Sequence, residues 1–499
     1  AAILFRLAIG VFQWPWLHTM SEHVAEAAKH QPWWVVMLAP AVGGLFVGLI
    51  LRYALSARRT VAVPDVIEAR VNGGRGLQLG QGLISATASA LSLGSGASAG
   101  REGPIVHLGA SIAMTFSRHL NLPNSARRTL LASGAAGAVA ASFNAPIAGV
   151  LFAQEVILGH FSIRTFVPLV LSSVVATILS QAWFGDVAAF VVPEYSIASY
   201  LEVPAFVLLG IVAAVVAVLF QLAILSTDWT ARNINMPLVM RPVVGGLMVG
   251  IMAIWYPEVL GVGYDTTDAA LKDQLSIETM LILIVLKTAA TAITLSSRFG
   301  GGVFSPALYL GAMTGGAFGL IAAATFPQVG SSEGLYAILG MGAVAAAVLG
   351  APISTTVMVF ELTGGFELSL ALLLTVAVAN GINQAILGRS LFQAQLESRG
   401  IILHEGPHRT IMKDLRVSDI MWPLKEDEPT ELPDSDRERA LPADETLETA
   451  LRVFDTLGAD LLPVVDPYDR GRIVGKISQT HALRALNKEL IATSVEEHR

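Results

Sequence analysis

Long apolar runs alternate with polar connections over most of the chain. The runs cover residues 34–55, 129–152, 166–184, 204–225, 242–255, 280–295, 303–325, 336–360 and 368–386. An apolar helix of ~20 residues crosses a bilayer, and several of these runs approach that length. Others are shorter or are interrupted by glycine and proline, which suits broken or re-entrant helices better than simple hairpins. The pattern predicts an α-helical polytopic membrane protein.

Composition agrees with this class. Of the 499 residues, 53% are hydrophobic and 14% are charged, whereas a soluble chain carries ~25% charged residues. The chain has no cysteine, which excludes disulfides, thiol catalysis and thiolate metal sites. No nucleophile–base pair or metal-binding cluster is evident, so we predict a protein that is not an enzyme and has no cofactor in its membrane part. The apolar start, residues 1–12, is interpreted as a trimmed first helix rather than a signal sequence.

Two blocks of sequence occur twice, in the same order and at nearly the same offset. Ala-Pro-Ile with a glutamate further on occurs at 145–155 and again at 351–361. Upstream, residues 104–110 match residues 306–312 in their first proline and their Leu-Gly-Ala ending. Matches of this kind indicate an internal repeat.

The repeat predicts two related membrane halves, residues 1–200 and 201–398. Transporter folds with such repeats place the substrate site where the halves meet, between discontinuous helices. We therefore expect the functional residues close to the matched blocks.

Residues 100–104 read Gly-Arg-Glu-Gly-Pro between two apolar segments. Ionisable residues at membrane depth are costly and are usually functional. The glycines leave backbone N–H groups accessible, and the proline suits the first turn of a helix, whose start attracts anions. Glu102 at such a place can compete with an anion, because it occupies the site when ionised and leaves it when protonated or displaced. The alternative is that Glu102 only caps the helix.

The corresponding segment of the second half, residues 300–306, reads Gly-Gly-Gly-Val-Phe-Ser-Pro and lacks the carboxylate. Two helix starts that face each other across the repeat interface would form an anion site built mainly from backbone amides. A glycine-rich phosphate loop is the competing interpretation. It is disfavoured, because no Lys-Ser or Lys-Thr pair follows and the context is not strand-to-helix.

These segments resemble the signature motifs of the CLC chloride channels and chloride/proton antiporters. Residues 100–104 are similar to the family's GREGP motif, residues 301–306 to its GGxFxP motif, and residues 144–146 to the segment after its first gate region. The resemblance covers nearly all of residues 1–398. It implies the CLC fold, with two inverted repeats of tilted, partly broken helices, and a homodimer in the lipid bilayer with one anion pore per subunit.

By this resemblance Glu102 is the external gating glutamate. Chloride is then expected at a central and an external site, held mainly by backbone amides. The backbone amides implied are those of Val303 and Phe304 at the central site and those around Arg101–Gly103 at the external site, with Gly100 and Gly302 in the same filter segments.

Two side chains that donate hydroxyls to chloride in the family are missing at the corresponding positions. The serine of the family's GSGIP motif corresponds to Val61, in a segment where only Pro64 is retained. The tyrosine near the end of the family's core corresponds to Phe392. Each neutral hydrogen bond contributes about 0.5–1.5 kcal/mol net, so we expect weak chloride binding and a weakly selective pore.

A third departure concerns proton coupling. Antiporters of the family usually carry a second glutamate directly after the position of Glu155, whereas this chain has Val156 there, as channel members typically do. Valine cannot relay a proton, which favours passive anion conduction or loose coupling. Gln154 or a water chain could substitute for the missing carboxylate.

Four other ionisable residues near apolar segments are predicted to be structural. Glu155 and Glu361 are expected to tie helix ends together on the cytoplasmic side. His107 and Lys287 are expected to be buried polar residues with satisfied hydrogen bonds rather than relays.

The composition changes abruptly behind the membrane part. Residues 399–416 are predicted to be a linker, and residues 417–499 a small α/β domain similar to the cystathionine-β-synthase (CBS) regulatory domain, with an acidic linker at 425–440. Residues 462–466 and 473–478 are predicted to be short buried strands. The resemblance implies a cytoplasmic C-terminus, and we expect the protein in a bacterial inner membrane.

CBS-type domains often bind adenine nucleotides through a Ser or Thr and an Asp three residues later. The corresponding residues here are Ser478 and His481, so the carboxylate that would contact the ribose is lost. A dimerisation or scaffolding role is at least as well supported as nucleotide binding.

The function expected from these features is transmembrane conduction of chloride and similar anions, channel-like or weakly coupled to protons, with Glu102 as the gate. A coupled chloride/proton antiporter with a non-standard inner relay is one alternative. A nucleotide-sensing scaffold with an inactive core is another. Nucleic acid is not expected as a partner.

Overall fold

Helices build the membrane part of the chain, and the sheet lies in the C-terminal part. The computed structural model describes residues 1–499 except 21–22, 72–75, 186–189, 191–194, 196–199, 326–331, 364–367, 402–411, 413–414, 425–428, 434–438, 470 and 499. The chain divides into two units, residues 1–161 with 165–401, and residues 162–164 with 402–499. Most of the predicted linker 399–416 and of the acidic linker 425–440 therefore lies outside the described residues.

The described helices of the first half are of uneven length. They are α1 (Ala2–Leu17), α2 (Val24–Lys29), α3 (Trp33–Tyr53), α4 (Val63–Val71), α5 (Leu79–Gly94), α6 (Glu102–His119), α7 (Asn124–Phe143), α8 (Pro146–Phe152) and α9 (Ile163–Phe184). Helix α7 ends at Asn144, whose left-handed backbone (φ 57°) stops the helix, and proline at the first position then starts α8. A π-helical turn, Ala153–Leu158, continues α8.

The second half repeats this plan. Its described α-helices are α10 (Val203–Asn233), α11 (Met240–Trp255), α12 (Tyr264–Leu271), α13 (Ile277–Ser296), α14 (Phe304–Thr325), α15 (Glu333–Leu349), α16 (Pro352–Thr363), α17 (Ser369–Leu387) and α18 (Leu391–Glu397). Helix α15 ends at the left-handed Gly350 (φ 66°), and α16 starts at Pro352. This break matches the one between α7 and α8, so the internal repeat is visible in the helix ends.

Six stretches within the described residues are long and apolar enough to cross a membrane. They are α3, α9, α10, α13, α14 and the stretch Ser369–Glu397. Other apolar helices, such as α11 and α15, are shorter. The expectation of broken helices of uneven length is confirmed.

Glycine pairs bring helices of each half into backbone contact. A Cβ at Gly109 of α6 would lie 2.4 Å from the carbonyl oxygen of Gly134 in α7. In the second half, a Cβ at Gly311 of α14 would lie 2.3 Å from the carbonyl oxygen of Gly340 in α15. Close packing of this kind holds membrane helices together where lipid is as apolar as the side chains.

Two glutamates tie the halves to each other reciprocally. Glu155 accepts hydrogen bonds from the backbone N–H groups of Ile353 (3.0 Å) and Ser354 (2.7 Å) at the start of α16. Glu361 accepts bonds of 2.9 and 2.7 Å from the first turn of α8. Carboxylates stabilise helix N-termini by satisfying free N–H groups. The structural role predicted for both glutamates is confirmed.

The C-terminal unit contains a four-stranded sheet among its described residues. Its elements are α19 (Val417–Ile420), β1 (Trp422–Pro423), β2 (Leu441–Pro442), α20 (Leu447–Leu457), β3 (Leu461–Val465), β4 (Ile473–Ser478) and α21 (Gln479–His498). The strand order is β1-β4-β3-β2, with β2 parallel to β3 and the other pairs antiparallel. Leu447, Phe454, Leu462, Val464 and Ile477 lie in its apolar core. The predicted small α/β domain and its two strands are confirmed.

Candidate anion pathway

The two glycine-rich segments meet at the interface of the halves. The N–H of Gly100 donates to the carbonyl oxygen of Gly302, and the N–H of Gly302 donates to that of Gly100, both at 2.7 Å. Helix α6 begins directly behind the first segment at Glu102, and α14 begins behind the second at Phe304. Two helix N-termini, each with free N–H groups and partial positive charge, therefore lie side by side.

The carboxylate of Glu102 is clamped by two hydroxyl groups. Its Oε1 accepts a hydrogen bond from Ser305 Oγ at 2.5 Å and a second from the Tyr264 hydroxyl at 3.0 Å. The residue is only 2% exposed, and its Oε2 has no hydrogen-bond partner among the described residues. The side chain thus sits in a buried pocket that binds one of its two oxygen atoms.

Sequence reasoning missed both hydroxyl donors. Ser305 is part of the glycine-rich motif, but nothing in the motif indicates that its side chain reaches across to Glu102. Tyr264 is more than 150 positions away from Glu102 in the chain, and no local pattern marks it. Only its place behind the left-handed Gly263 (φ 88°) at the start of α12 sets it apart.

Lys287 holds the loop that carries Tyr264. It is fully buried, and its Nζ donates to the carbonyl oxygens of Val259 (3.0 Å) and Gly261 (2.9 Å). The predicted structural role of Lys287 is thereby confirmed. The Tyr264 ring also packs under the Arg101 guanidinium, 4.8 Å from the ring centroid.

A cavity leads away from Glu102. Its wall includes Arg59, Thr60, Ala62, Pro64, Gly103, Phe143, Phe152, Asp228, Arg232, Arg298, Gly301, Gly302, Val303, Phe304, Phe392, Ser398 and Arg399. The wall residues near Glu102, such as Phe304, are buried, whereas Arg232 and Ser398 are exposed. The cavity therefore has a closed end at Glu102 and an open end at Arg232.

Aromatic rings narrow the closed end. The ring of Phe304 lies 5.0 Å from that of Phe143 and 6.3 Å from that of Phe152, measured between centroids. We call these three residues the aromatic collar. Apolar constrictions of this kind oppose the passage of hydrated ions. An ion at the collar would therefore depend on backbone N–H groups to replace its water.

The structure distributes the predicted anion-binding residues over two places. Gly302, Val303, Phe304 and Gly103 lie on the cavity wall. Gly100 and Arg101 are not among the wall residues in the described part of the chain. Gly100 is engaged in the backbone bridge, and the Arg101 guanidinium donates to the carbonyl oxygen of Ser142 at 3.4 Å.

Of the two positions expected to lack a hydroxyl, one lies on the cavity wall and the other is not among the described wall residues. Phe392 is 4% exposed and lies on the cavity wall. Val61 is not among the described wall residues; its N–H donates to Ser85 Oγ at 2.9 Å. The neighbouring Thr60 lies on the wall, and its hydroxyl donates to the carbonyl oxygen of Phe299 at 3.4 Å.

Val156 lies in the π-helical turn behind α8, one residue after Glu155. It is partly buried and is not among the described residues of the cavity wall. Gln154 is 3% exposed in the same turn. His107 is also buried, with its Nδ1 3.5 Å from the Ser111 hydroxyl.

The candidate nucleotide residues of the C-terminal unit take part in local structure. Ser478 Oγ accepts a hydrogen bond from the His481 N–H at 3.2 Å, at the start of α21. The His481 ring lies 4.5 Å from the Trp422 ring. Both side chains therefore contribute to the packing between α21 and the sheet.

Comparisons with known proteins agree with this architecture. The family model described as voltage gated chloride channel matches residues 43–384. A ClcB-like protein of Ralstonia nicotianae is 35% identical over 378 residues, which cover 75% of this chain and 88% of that protein. The H(+)/Cl(-) exchange transporter ClcA of Cronobacter sakazakii is 32% identical over 409 residues, which cover 79% of this chain and 86% of that protein.

A crystal structure of a slow cyanobacterial Cl-/H+ antiporter has the same fold. The TM-score is 0.71 at 24% identity, and the match covers 79% of this chain and 93% of the other. The expected fold of two related halves with broken helices is thereby confirmed. The family model, the two relatives and the apolar helices together show that this chain is an integral membrane protein of the CLC family.

Proposed function

We propose that this protein conducts chloride and similar small anions across the membrane, in a channel-like or weakly proton-coupled manner, with Glu102 as the gate. The observation that carries the proposal is the position of Glu102. Its carboxylate lies between Ser305 and Tyr264, where the N-termini of α6 and α14 meet, and it closes the buried end of the cavity. A negative side chain in such a place competes with a permeating anion.

The same geometry supports a way for the proposed gate to open. Protonation of Glu102 removes the charge that the two helix N-termini attract. The carboxyl group then leaves the hydroxyl pair, and an anion takes its place beside the backbone N–H groups. The unpartnered Oε2 means that Glu102 does not use every hydrogen bond available to a carboxylate, which keeps the closed state only moderately favoured.

Weak proton coupling is supported by Val156. A valine cannot pass a proton toward Glu102, and the π-helical turn that carries it holds Gln154 as the nearby buried polar side chain. The second candidate is a coupled antiporter with Gln154 or water in the relay. The ClcA relative, named as an exchange transporter, favours that alternative.

The two candidates are separated by a flux experiment on the purified full chain in proteoliposomes. Chloride efflux is started with valinomycin under a potassium gradient while external pH is recorded, with protein-free vesicles as the control. We expect chloride efflux without stoichiometric proton uptake. A fixed chloride-to-proton ratio that persists when the gradients change would establish the antiporter, and absence of chloride efflux would exclude both.

Replacing the gate tests its role directly. Glu102→Gln has nearly the same shape and resembles the protonated state, so it should raise chloride flux and remove most of its pH dependence. The magnitude expected is at least tenfold at a pH where the wild-type gate is closed, because charge-assisted hydrogen bonds of ~1.5–3 kcal/mol are weakened. An unchanged flux and pH profile would remove Glu102 from the gate.

Assembly and orientation belong to the same proposal. We expect a homodimer in a bacterial inner membrane, without enzymatic activity or a bound cofactor in the core, and with the C-terminal unit in the cytoplasm. The chain lacks cysteine, so a single Tyr468→Cys change creates a unique label at a 99% exposed position. In intact cells, a membrane-impermeant thiol reagent should label it only after permeabilisation.

Adenine nucleotide binding at Ser478 is testable by calorimetry on the same full chain.

A further inference from the structure

The open end of the cavity carries more cationic than anionic side chains. The guanidinium groups on its wall belong to Arg59, Arg232, Arg298 and Arg399. Apart from Glu102 at the closed end, the described wall carries one carboxylate, that of Asp228, and a further one, that of Asp65, pairs with Arg59. Such a cleft attracts anions and raises their local concentration.

Three of these arginines are held by carboxylates. Arg232 forms an ion pair with Asp228 at 2.5 Å. Arg59 and Arg399 share Asp65, at 2.5 and 3.2 Å. Their donors are partly used within the protein, which limits what they offer to a mobile anion.

Arg298 differs from the other three. Its guanidinium forms no hydrogen bond or ion pair with any residue in the described part of the chain, although Asp228 is near enough to interact with it electrostatically. It is partly buried on the cavity wall, two residues before Gly300. Its donors are therefore available to an anion that enters from the open end.

The backbone at Arg298 is in an unusual conformation. Its φ of 71° lies in the left-handed region, which is unfavourable for residues with a side chain and normally falls to glycine. The neighbouring residues hold it there: Phe299 is 2% exposed in an apolar cluster, and the Gly300 N–H donates to Ser92 Oγ at 3.0 Å. Unfavourable backbone kept in place by its surroundings is typical of functional sites.

We propose that Arg298 forms a binding site for small monovalent anions at the open end of the cavity. An anion that enters there would meet Arg298 before the glycines at 300–302 and Glu102. This inference rests on the proposed anion conduction and adds the class of anion that the pathway binds. A guanidinium presents a planar fork of donors, which two oxygen atoms of a planar oxyanion match with parallel hydrogen bonds. The site therefore takes nitrate-type oxyanions in preference to halides.

The test uses variants that separate charge from backbone. Arg298→Gln removes the charge, and Arg298→Lys keeps it but loses the planar fork. Arg298→Gly removes the charge and also suits the left-handed backbone, so it guards against loss of folding. Arg58→Gln is the matched control, because Arg58 also has a positive φ (50°) but is exposed and is not among the described wall residues.

Flux is measured for each variant in proteoliposomes with subsaturating nitrate or chloride, at low and at high ionic strength. For Arg298→Gln and Arg298→Gly we expect flux to fall about three- to tenfold at low ionic strength and the deficit to shrink at high ionic strength, because salt screens the charge. Arg298→Lys should keep most of its chloride flux but lose nitrate flux. Arg58→Gln should behave as the wild type, and equal flux in Arg298→Gln and wild type would overturn the site.

Equilibrium binding keeps this inference distinct from the proposed function. Nitrate and chloride are titrated into the detergent-solubilised full chain and followed by calorimetry. One outcome is that the wild type carries no flux, while nitrate affinity is lower in Arg298→Gln than in the wild type and unchanged in Arg58→Gln. That outcome would refute the proposed conduction and support the site. Unchanged nitrate affinity in Arg298→Gln would refute the site, and equal losses for nitrate and chloride would refute the preference for oxyanions.

Discussion

The hydroxyl pair on Glu102 should set how firmly the gate is closed. Ser305→Ala removes the donor at 2.5 Å and leaves the Tyr264 hydroxyl at 3.0 Å on the same oxygen. A distance of 2.5 Å is in the range of charge-assisted O–H···O⁻ bonds. Because these bonds exist only while Glu102 occupies its closed position, the loss of one destabilises the closed state and leaves the open state unchanged.

The size of the effect follows from the bond. A hydrogen bond to a charged group contributes about 1.5–3 kcal/mol net, and each 1.4 kcal/mol changes an equilibrium constant about tenfold. Ser305→Ala should therefore shift the closed-to-open equilibrium of Glu102 toward open by about one to two orders of magnitude. Tyr264→Phe, which removes the longer bond and keeps the ring over which Arg101 packs, should shift it by about tenfold or less.

Chloride efflux from proteoliposomes at a pH where the wild type is mostly closed reports this shift. Ser354→Ala is the matched control, since the Ser354 hydroxyl is buried without a partner among the described residues. It should leave flux unchanged. In the Glu102→Gln background, Ser305→Ala should add little, because the two changes act on one interaction. Equal flux in Ser305→Ala and Ser354→Ala would refute the hydroxyl clamp.

Three further predictions concern the membrane part of the chain. Gly100→Ala places a Cβ 2.5 Å from Glu102 Oε2, so it should displace the carboxylate and raise chloride flux severalfold; flux at or below the wild-type level in folded protein would contradict this. Phe392→Tyr adds a hydroxyl at the cavity wall and should tighten chloride binding about two- to tenfold by calorimetry; unchanged affinity would place the central site elsewhere. Glu361→Gln weakens the cap on α8 and should lower stability by about 1–2 kcal/mol, seen as a lower Tm, whereas Glu397→Gln at a surface ion pair should lower it by less than about 1 kcal/mol.

The clamp also bears on what the missing hydroxyls mean. The sequence predicts that the family's serine and tyrosine donors are replaced at Val61 and Phe392, yet the hydroxyls of Ser305 and Tyr264 converge on Glu102. We therefore expect these two hydroxyls to stabilise the closed gate, whereas the Thr60 hydroxyl on the cavity wall donates to the carbonyl oxygen of Phe299. We expect such an arrangement to retain chloride weakly at the central site.

Local features of the sequence were enough to determine the class of the protein. The apolar runs are near the length of a bilayer crossing, which indicates that lipid surrounds them. Glycine and proline at their interruptions indicate where the helices break. The matched blocks at 104–110 and 306–312 showed the two halves, and the string around Glu102 marked a helix start with an ionisable residue at membrane depth. The short strands of the C-terminal unit followed from their apolar runs in the same way.

Tertiary structure alone decided which side chains share the pathway. The pairing of Gly100 with Gly302, and of Glu102 with Tyr264 and Ser305, joins residues far apart in the chain, and no local pattern encodes such contacts. The same holds for Arg298, because its availability depends on where Asp65 and Asp228 lie. Neighbouring residues determine helix starts and apolar faces, whereas a binding site depends on how the packed helices bring distant side chains within hydrogen-bond distance.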